Sequence, residues 1–237
     1  MNGTNDGDGT EGWLRTHAGD MWAVSVPRHY LFPPPSESMA TTEADPPLTL
    51  FARAFWGTWP LRIERYILSA VARAGFIFDL RKGGADIDLE GERRFVEKAK
   101  ILGGGFIVEE HDAMTSAPTS KGLLHGPLIA SWWLRPSSSD NVRVSLMGGY
   151  HSFAVEEPSP DTETVCLLFT SHLILSPPAD KKLPPSTESM STAALADTGI
   201  FNLRQRIVMH FHILYSRILL DLAVRSLERE AGTRGDL

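Results

Sequence analysis

The sequence predicts an α+β fold in which a curved antiparallel sheet grips one long C-terminal helix. Three observations carry this expectation. A strand and two helices come first, Gly104 to Leu175 is then dominated by strand-like runs, and a long amphipathic segment, Asn202 to Glu230, closes the chain. Segregation of that kind places helix on one face of a sheet.

The elements follow in order. Residues 1 to 20 are a Gly, Asp, Thr and Asn mixture that reads as a flexible terminus, and Met21 to Val26 alternates as a strand. Residues 31 to 47 form a Pro, Ser, Thr and Glu loop containing Pro33, Pro34 and Pro35. Leu48 to Trp56 reads as a helix that Gly57 ends, and Pro60 suits the first turn of a second helix carrying Ile63, Ile67, Ala70 and Ala74 on one face. A short strand at Phe76 to Leu80, a turn at Lys82-Gly83-Gly84 and a charged helix from Glu90 to Lys100 come next. Gly104 to Asp112, Pro127 to Arg135, Val142 to Val155 and Thr164 to Leu175 are rich in β-branched and aromatic residues and read as consecutive antiparallel strands. Residues 177 to 197 form a second Pro- and Ser-rich loop before the final helix. The expected organisation is one domain over 21 to 230, with residues 231 to 237 as a tail.

In the last segment, Arg206, His210, Arg217, Asp221 and Arg225 gather on one side at 100° per residue, while Val208, Met209, Ile213, Leu219, Leu220 and Ala223 cover the other. His212 and Ser216 fall one turn apart in the middle of the apolar side, with Tyr215 at its edge. Buried polar groups need partners. These three either bond within an ordinary core or line a cavity that the helix closes.

Alternation sorts the strand residues into faces. In Val142 to Ala154, Tyr150 and His151 lie on opposite faces, and a bulge at Gly148-Gly149 would exchange them, so either could point inward. His172 and Phe169 likewise fall on opposite faces of their strand. Trp132-Trp133 puts one indole on each side of the sheet, where either offers a flat wall to an unsaturated ligand. Glu109, Glu110, His111 and Asp112 form a polar group at a strand end; a carboxylate beside an imidazole can move protons, and a solvated strand end is the plainer alternative.

Composition narrows the function classes. The 237 residues are 42% hydrophobic with a formal charge of −6, enough for a real core and unfavourable for nucleic acid, since no basic stripe is interleaved with aromatics. No apolar run reaches the roughly 18 residues of a membrane span. No secretory leader is visible, and the single cysteine, Cys166, sits in an apolar run; the expectation is a cytoplasmic protein. His111, His151, His172 and His212 could converge, yet no paired ligand spacing supports a metal, and the phosphate-loop and serine-elbow motifs are missing. No cofactor is expected.

The residues Gly148-Gly149-Tyr150-His151-Ser152-Phe153, Phe169-Thr170-Ser171-His172 and His210-Phe211-His212-Ile213-Leu214-Tyr215-Ser216-Arg217 resemble the helix-grip superfamily of START and polyketide-cyclase-like proteins. They are similar to an uncharacterised branch that is also found fused to short-chain-dehydrogenase-like proteins. The resemblance spans roughly residues 48 to 229. It implies a cofactor-independent enzyme that binds an apolar, polyunsaturated or polyketide-like small molecule between sheet and helix and promotes cyclisation, isomerisation or dehydration. The chemistry then falls to His212 as acid or base, with Tyr215 or Ser216 donating to a carbonyl and His151 as a further catalytic candidate. Trp132, Trp133, Tyr150, His172, Phe169 and Glu110 are the candidate lining. A non-catalytic carrier of lipids or hydrophobic metabolites is the alternative, and an accessory protein with a vestigial pocket is a third.

Overall fold

A computed structural model describes residues 16–32, 46–64, 66, 95, 98–102, 105–111, 116–119, 122–133, 145–159, 161–176, 191, 194 and 203–235. The strand expected at 76–80, the turn at 82–84, most of the helix expected at 90–100 and most of the loops at 31–47 and 177–197 lie outside the described residues.

Among the described residues seven strands form one antiparallel sheet: β1 (Thr16–Pro27), β2 (Lys100–Ile101), β3 (Phe106–His111), β4 (Ser116–Thr119), β5 (Gly122–Trp133), β6 (Ser145–Glu157) and β7 (Thr164–Ser176). Their order is β1-β7-β6-β5-β3-β2, with β4 also paired to β5. The first strand begins at Thr16, so residues 16 to 20 belong to the sheet and not to the flexible terminus expected from their composition. Their backbone pairs along β7, Asp20 opposite Ser171, and ladder hydrogen bonds outweigh the weak strand propensity of Gly19 and Asp20.

Alternation decides which face is core. On β1, Trp22, Val24 and Val26 are covered while Met21, Ala23 and Ser25 are exposed. Across the sheet the same inner face carries Val165, Leu167 and Phe169 of β7, Phe153 and Val155 of β6 and Leu128 and Ala130 of β5, every one nearly or fully buried.

The inner face is covered by two helices, α1 (Pro47–Trp56) and α2 (Leu203–Gly235). A proline occupies the first turn of α1, where a missing N–H costs nothing, and Gly57 ends the helix by donating its N–H to the Arg53 carbonyl at 2.8 Å. Eight of its ten residues are buried, because the sheet lies on one side and α2 on the other. Phe51 and Phe55 meet Phe153 edge-on at 5.5 and 5.0 Å between ring centroids. Each such fully buried aromatic contributes on the order of 1.5–3 kcal/mol. A helical turn at residues 59–64 follows, in which Arg62 donates to the Gly57 carbonyl at 3.0 Å.

Met209, Ser216, Leu219, Leu220, Ala223 and Leu227 form the buried stripe of α2, and His210, Arg217, Asp221 and Arg225 are exposed, as the helical phase requires. Ile213 is half-buried. The helix runs to Gly235, so residues 231–235 are its last turn where composition suggested a tail. A second difference concerns its outer side, which the sequence pattern assigned to charge alone. Ile207, Phe211, Leu214 and Ile218 form another apolar stripe, each more than 40% exposed. Spacings of four, three and four residues keep them in line on a face turned away from the core.

Candidate functional site

The polar residues on the inner face divide by position along β6. One bulge sets the division. Leu146 pairs with Leu175 but Gly148 pairs with Ile174, so one extra residue of β6 is accommodated just before the glycine pair. That extra residue reverses the alternation read from Val142, and His151, not Tyr150, turns to the core. His151 is 6% exposed, while Tyr150 lies on the opposite face, stacked 4.5 Å from His172 with 13° between rings. Gly19 makes room for that stack, since a Cβ there would lie 2.6 Å from His172 Cε1.

His151 is framed by aromatic rings. It stacks on Phe169 at 5.3 Å and 18°, and Phe106, Trp56 and Phe55 surround it at 5.4, 5.9 and 6.4 Å. Its Nδ1 is buried and has no hydrogen-bond partner among the described residues. Burial, reinforced by the neighbouring His212 and His172, holds its pKa well below the ordinary imidazole value.

Directly above, α2 presents His212, whose ring centroid is 5.9 Å from that of His151. His212 Nε2 is 2.6 Å from Ser171 Oγ on β7. Either partner can donate, depending on which ring nitrogen carries the proton. Burial lowers the His212 pKa, and Asp20 partly opposes this by favouring the charged ring. Asp20, Ser171 and His151 form one cross-strand row, Asp20 opposite Ser171 and Ser171 opposite His151. Asp20 Oδ2 is buried without a hydrogen-bond partner among the described residues.

Trp132 extends the site. It pairs with Gly149, and its indole lies where a Cβ on Gly149 would be, 2.9 Å from Cζ2. Any larger residue at 149 would displace the ring. Trp132 Nε1 is likewise buried and unpartnered among the described residues, as is Trp56 Nε1.

The remaining candidates are placed as follows. Ser216 is buried in the α2 stripe. Tyr215 donates its hydroxyl to Glu64 Oε2 at 2.9 Å, so its proton is already committed. Burial and the Glu64 charge raise the Tyr215 pKa; burial also raises that of Glu64, against the Tyr215 hydrogen bond. Phe169 lies at the heart of the inner face and stacks on Trp22 at 5.5 Å. Tyr150 and His172 are not brought together with His212, because the sheet separates them. Trp133 and Glu110 lie in β5 and β3, with side chains outside the described residues, as is that of His111. A bulge between Val108 and Glu110 breaks the alternation expected there and lets Glu109 accept from Ser131 Oγ on β5. Among the described residues no group of His, Cys, Asp and Glu could hold a metal ion, and no helix is long and apolar enough to cross a membrane.

Two members of the site were missed. Ser171 was read only as one position of an apolar strand and of the Phe169-to-His172 motif, with no role in the site, and Asp20 only as the end of a flexible terminus. Asp20 could have been found by carrying the alternation of Trp22, Val24 and Val26 back by one step.

No family model, curated protein or solved structure matches the chain.

Proposed function

We propose that the inner-face site binds an apolar, unsaturated small molecule carrying one polar group and moves a proton on it without a cofactor. The observation that carries this reading is the set of unpartnered buried polar atoms, Asp20 Oδ2, His151 Nδ1 and Trp132 Nε1, beside the Ser171–His212 hydrogen bond and among aromatic rings. Each such atom costs about 1–3 kcal/mol that an apolar residue of similar size would avoid. A ligand supplying the missing hydrogen bonds removes that cost. The aromatic walls suit a flat hydrophobic body, and a long helix across an antiparallel sheet is compatible with the helix-grip superfamily that the sequence motifs resemble.

His212 is the proton carrier in this scheme. Kept neutral at pH 7, its imidazole accepts a proton from carbon or oxygen next to a carbonyl, and the resulting cation returns it at a second position. The Ser171 hydroxyl fixes the ring orientation, and a tryptophan N–H holds the developing oxyanion. The product is an isomer, a cyclised form or, with loss of water, an alkene.

The test begins with native mass spectrometry of the full chain to identify co-purified molecules, followed by incubation of that molecule in D2O. Wild-type protein incorporates deuterium at the reacting position and His212→Gln loses about 10²-fold or more of that rate. Incorporation at the wild-type rate by the Gln variant removes the acid-base role, and a bound but unexchanged molecule makes the protein a carrier.

A further inference from the structure

We infer that Asp20 is the counter-charge of His212, a positioning residue whose carboxylate stabilises the imidazolium formed when His212 takes a proton. The inference rests on the proposed function for its purpose but on independent geometry for its content. Asp20 and Ser171 are direct cross-strand partners on the inner face. Such partners have Cβ atoms roughly 4.5–5.5 Å apart, and Ser171 Oγ is itself 2.6 Å from His212 Nε2. The carboxylate is therefore about one side-chain reach from the ring. Its Oδ2 is buried and has no hydrogen-bond partner among the described residues.

A carboxylate so placed has no evident structural task. The hydrogen bonds of β1 are made by its backbone, and Trp22, Val24 and Val26 supply its apolar contacts. Asparagine would fill the same volume without burying charge. What aspartate adds is a negative potential at His212, where the other facing groups act differently. His151 on β6 is itself held neutral by burial, Ser171 on β7 is neutral, and Tyr215 on α2 is tied to Glu64 of the helical turn. Asp20 alone among these groups offsets the desolvation that keeps His212 neutral. Without it the ring would still be a base in position, but a poor one, because its protonated form would lack compensation.

Side-chain 15N-histidine NMR of the full chain, free of ligand, tests this directly. In Asp20→Asn the His212 titration midpoint falls by about one pH unit relative to wild type, the lower end of the usual effect of a nearby opposite charge. Asp20→Glu restores most of the shift. An unchanged His212 midpoint in a folded Asn variant overturns the inference. If that variant does not fold, the Asp20 carboxyl carbon in wild type is followed against pH. An inflection at the His212 midpoint supports the pairing, and its absence overturns it. These readouts need no substrate, so a His212→Gln enzyme with undiminished proton exchange would end the proposed function while leaving the Asp20–His212 pair standing.

Discussion

Two polar clusters sit on the inner face of the same sheet, six residues apart along β6, or roughly 20 Å, and they are built on opposite principles. At the far end Glu157, 4% exposed, is fully engaged. Arg28 donates to Oε1 through Nε at 3.2 Å and through its terminal nitrogen at 2.8 Å, and His125 Nε2 lies 3.3 Å from Oε2. Arg28 also rests 4.4 Å above the Phe32 ring. Burial alone would raise the Glu157 pKa, yet the Arg28 and His125 hydrogen bonds hold it below the usual carboxylate value. At the His151 end Asp20 Oδ2, His151 Nδ1 and Trp132 Nε1 are buried without a partner among the described residues, and both imidazoles are pushed toward neutrality. A paired cluster ties the turn that follows β1 to β5 and β6 and serves the fold. An unpaired one costs stability, a cost that the proposed ligand would offset.

The strongest way to break this contrast is to remove Glu157. Glu157→Ala deletes three charge-assisted contacts and leaves Arg28 without its partner, so urea unfolding at pH 7 should show a loss of about 2–4 kcal/mol. A loss under 0.5 kcal/mol would mean that the pairing is ornamental.

Acid titration separates the two ends. Both His151 and His212 have folded values below the ordinary 6.5, so the unfolded chain binds more protons just below that pH. Stability therefore falls as pH drops through about 6.5, by up to about 1.4 kcal/mol per unit for each imidazole that stays neutral. Glu157 contributes in the same sense but lower down. Its folded value lies below the ordinary 4.5, so its share is intact above that pH and lost beneath it. Denaturation followed from pH 7 to 3 should show the first decline flattened in His151→Phe and the second in Glu157→Gln. A single decline unaffected by either change would contradict the division.

His151→Phe should also cost little at pH 7. The substitution replaces an imidazole whose buried Nδ1 has no partner among the described residues with a ring suited to Phe169, Phe106 and Trp56, and the expected change in stability is within about 1 kcal/mol, in either direction. The smallest expected effect is on the melting temperature of His212→Gln, within a few degrees of wild type, because Gln keeps a hydrogen-bonding group in reach of Ser171. A large drop would make His212 structural and would move it to the same class as Glu157.

Periodicity was sufficient for much of this molecule. Strand-like composition located β5, β6 and β7, the helical phase of Met209, Leu219, Leu220 and Ala223 identified the buried side of α2, and His212 stood out because it interrupts that phase. Local pattern carries this information because a residue on a helix or strand faces the direction its position dictates. Other features depended on long-range pairing. The bulge before Gly148 chose His151 over Tyr150, a choice that depends on how β7 aligns with β6. Ser171 and Asp20 became members of the site only when β1, β7 and β6 were laid side by side, since Asp20 and Ser171 stand 151 positions apart in the chain. Likewise Tyr215 was drawn to Glu64 by the packing of the helical turn on α2, and Glu157 found Arg28 129 residues away. Sequence fixes the face a side chain takes within its own element; which faces meet, and which buried groups then find partners, is decided by the register of distant strands and the docking of helices upon them.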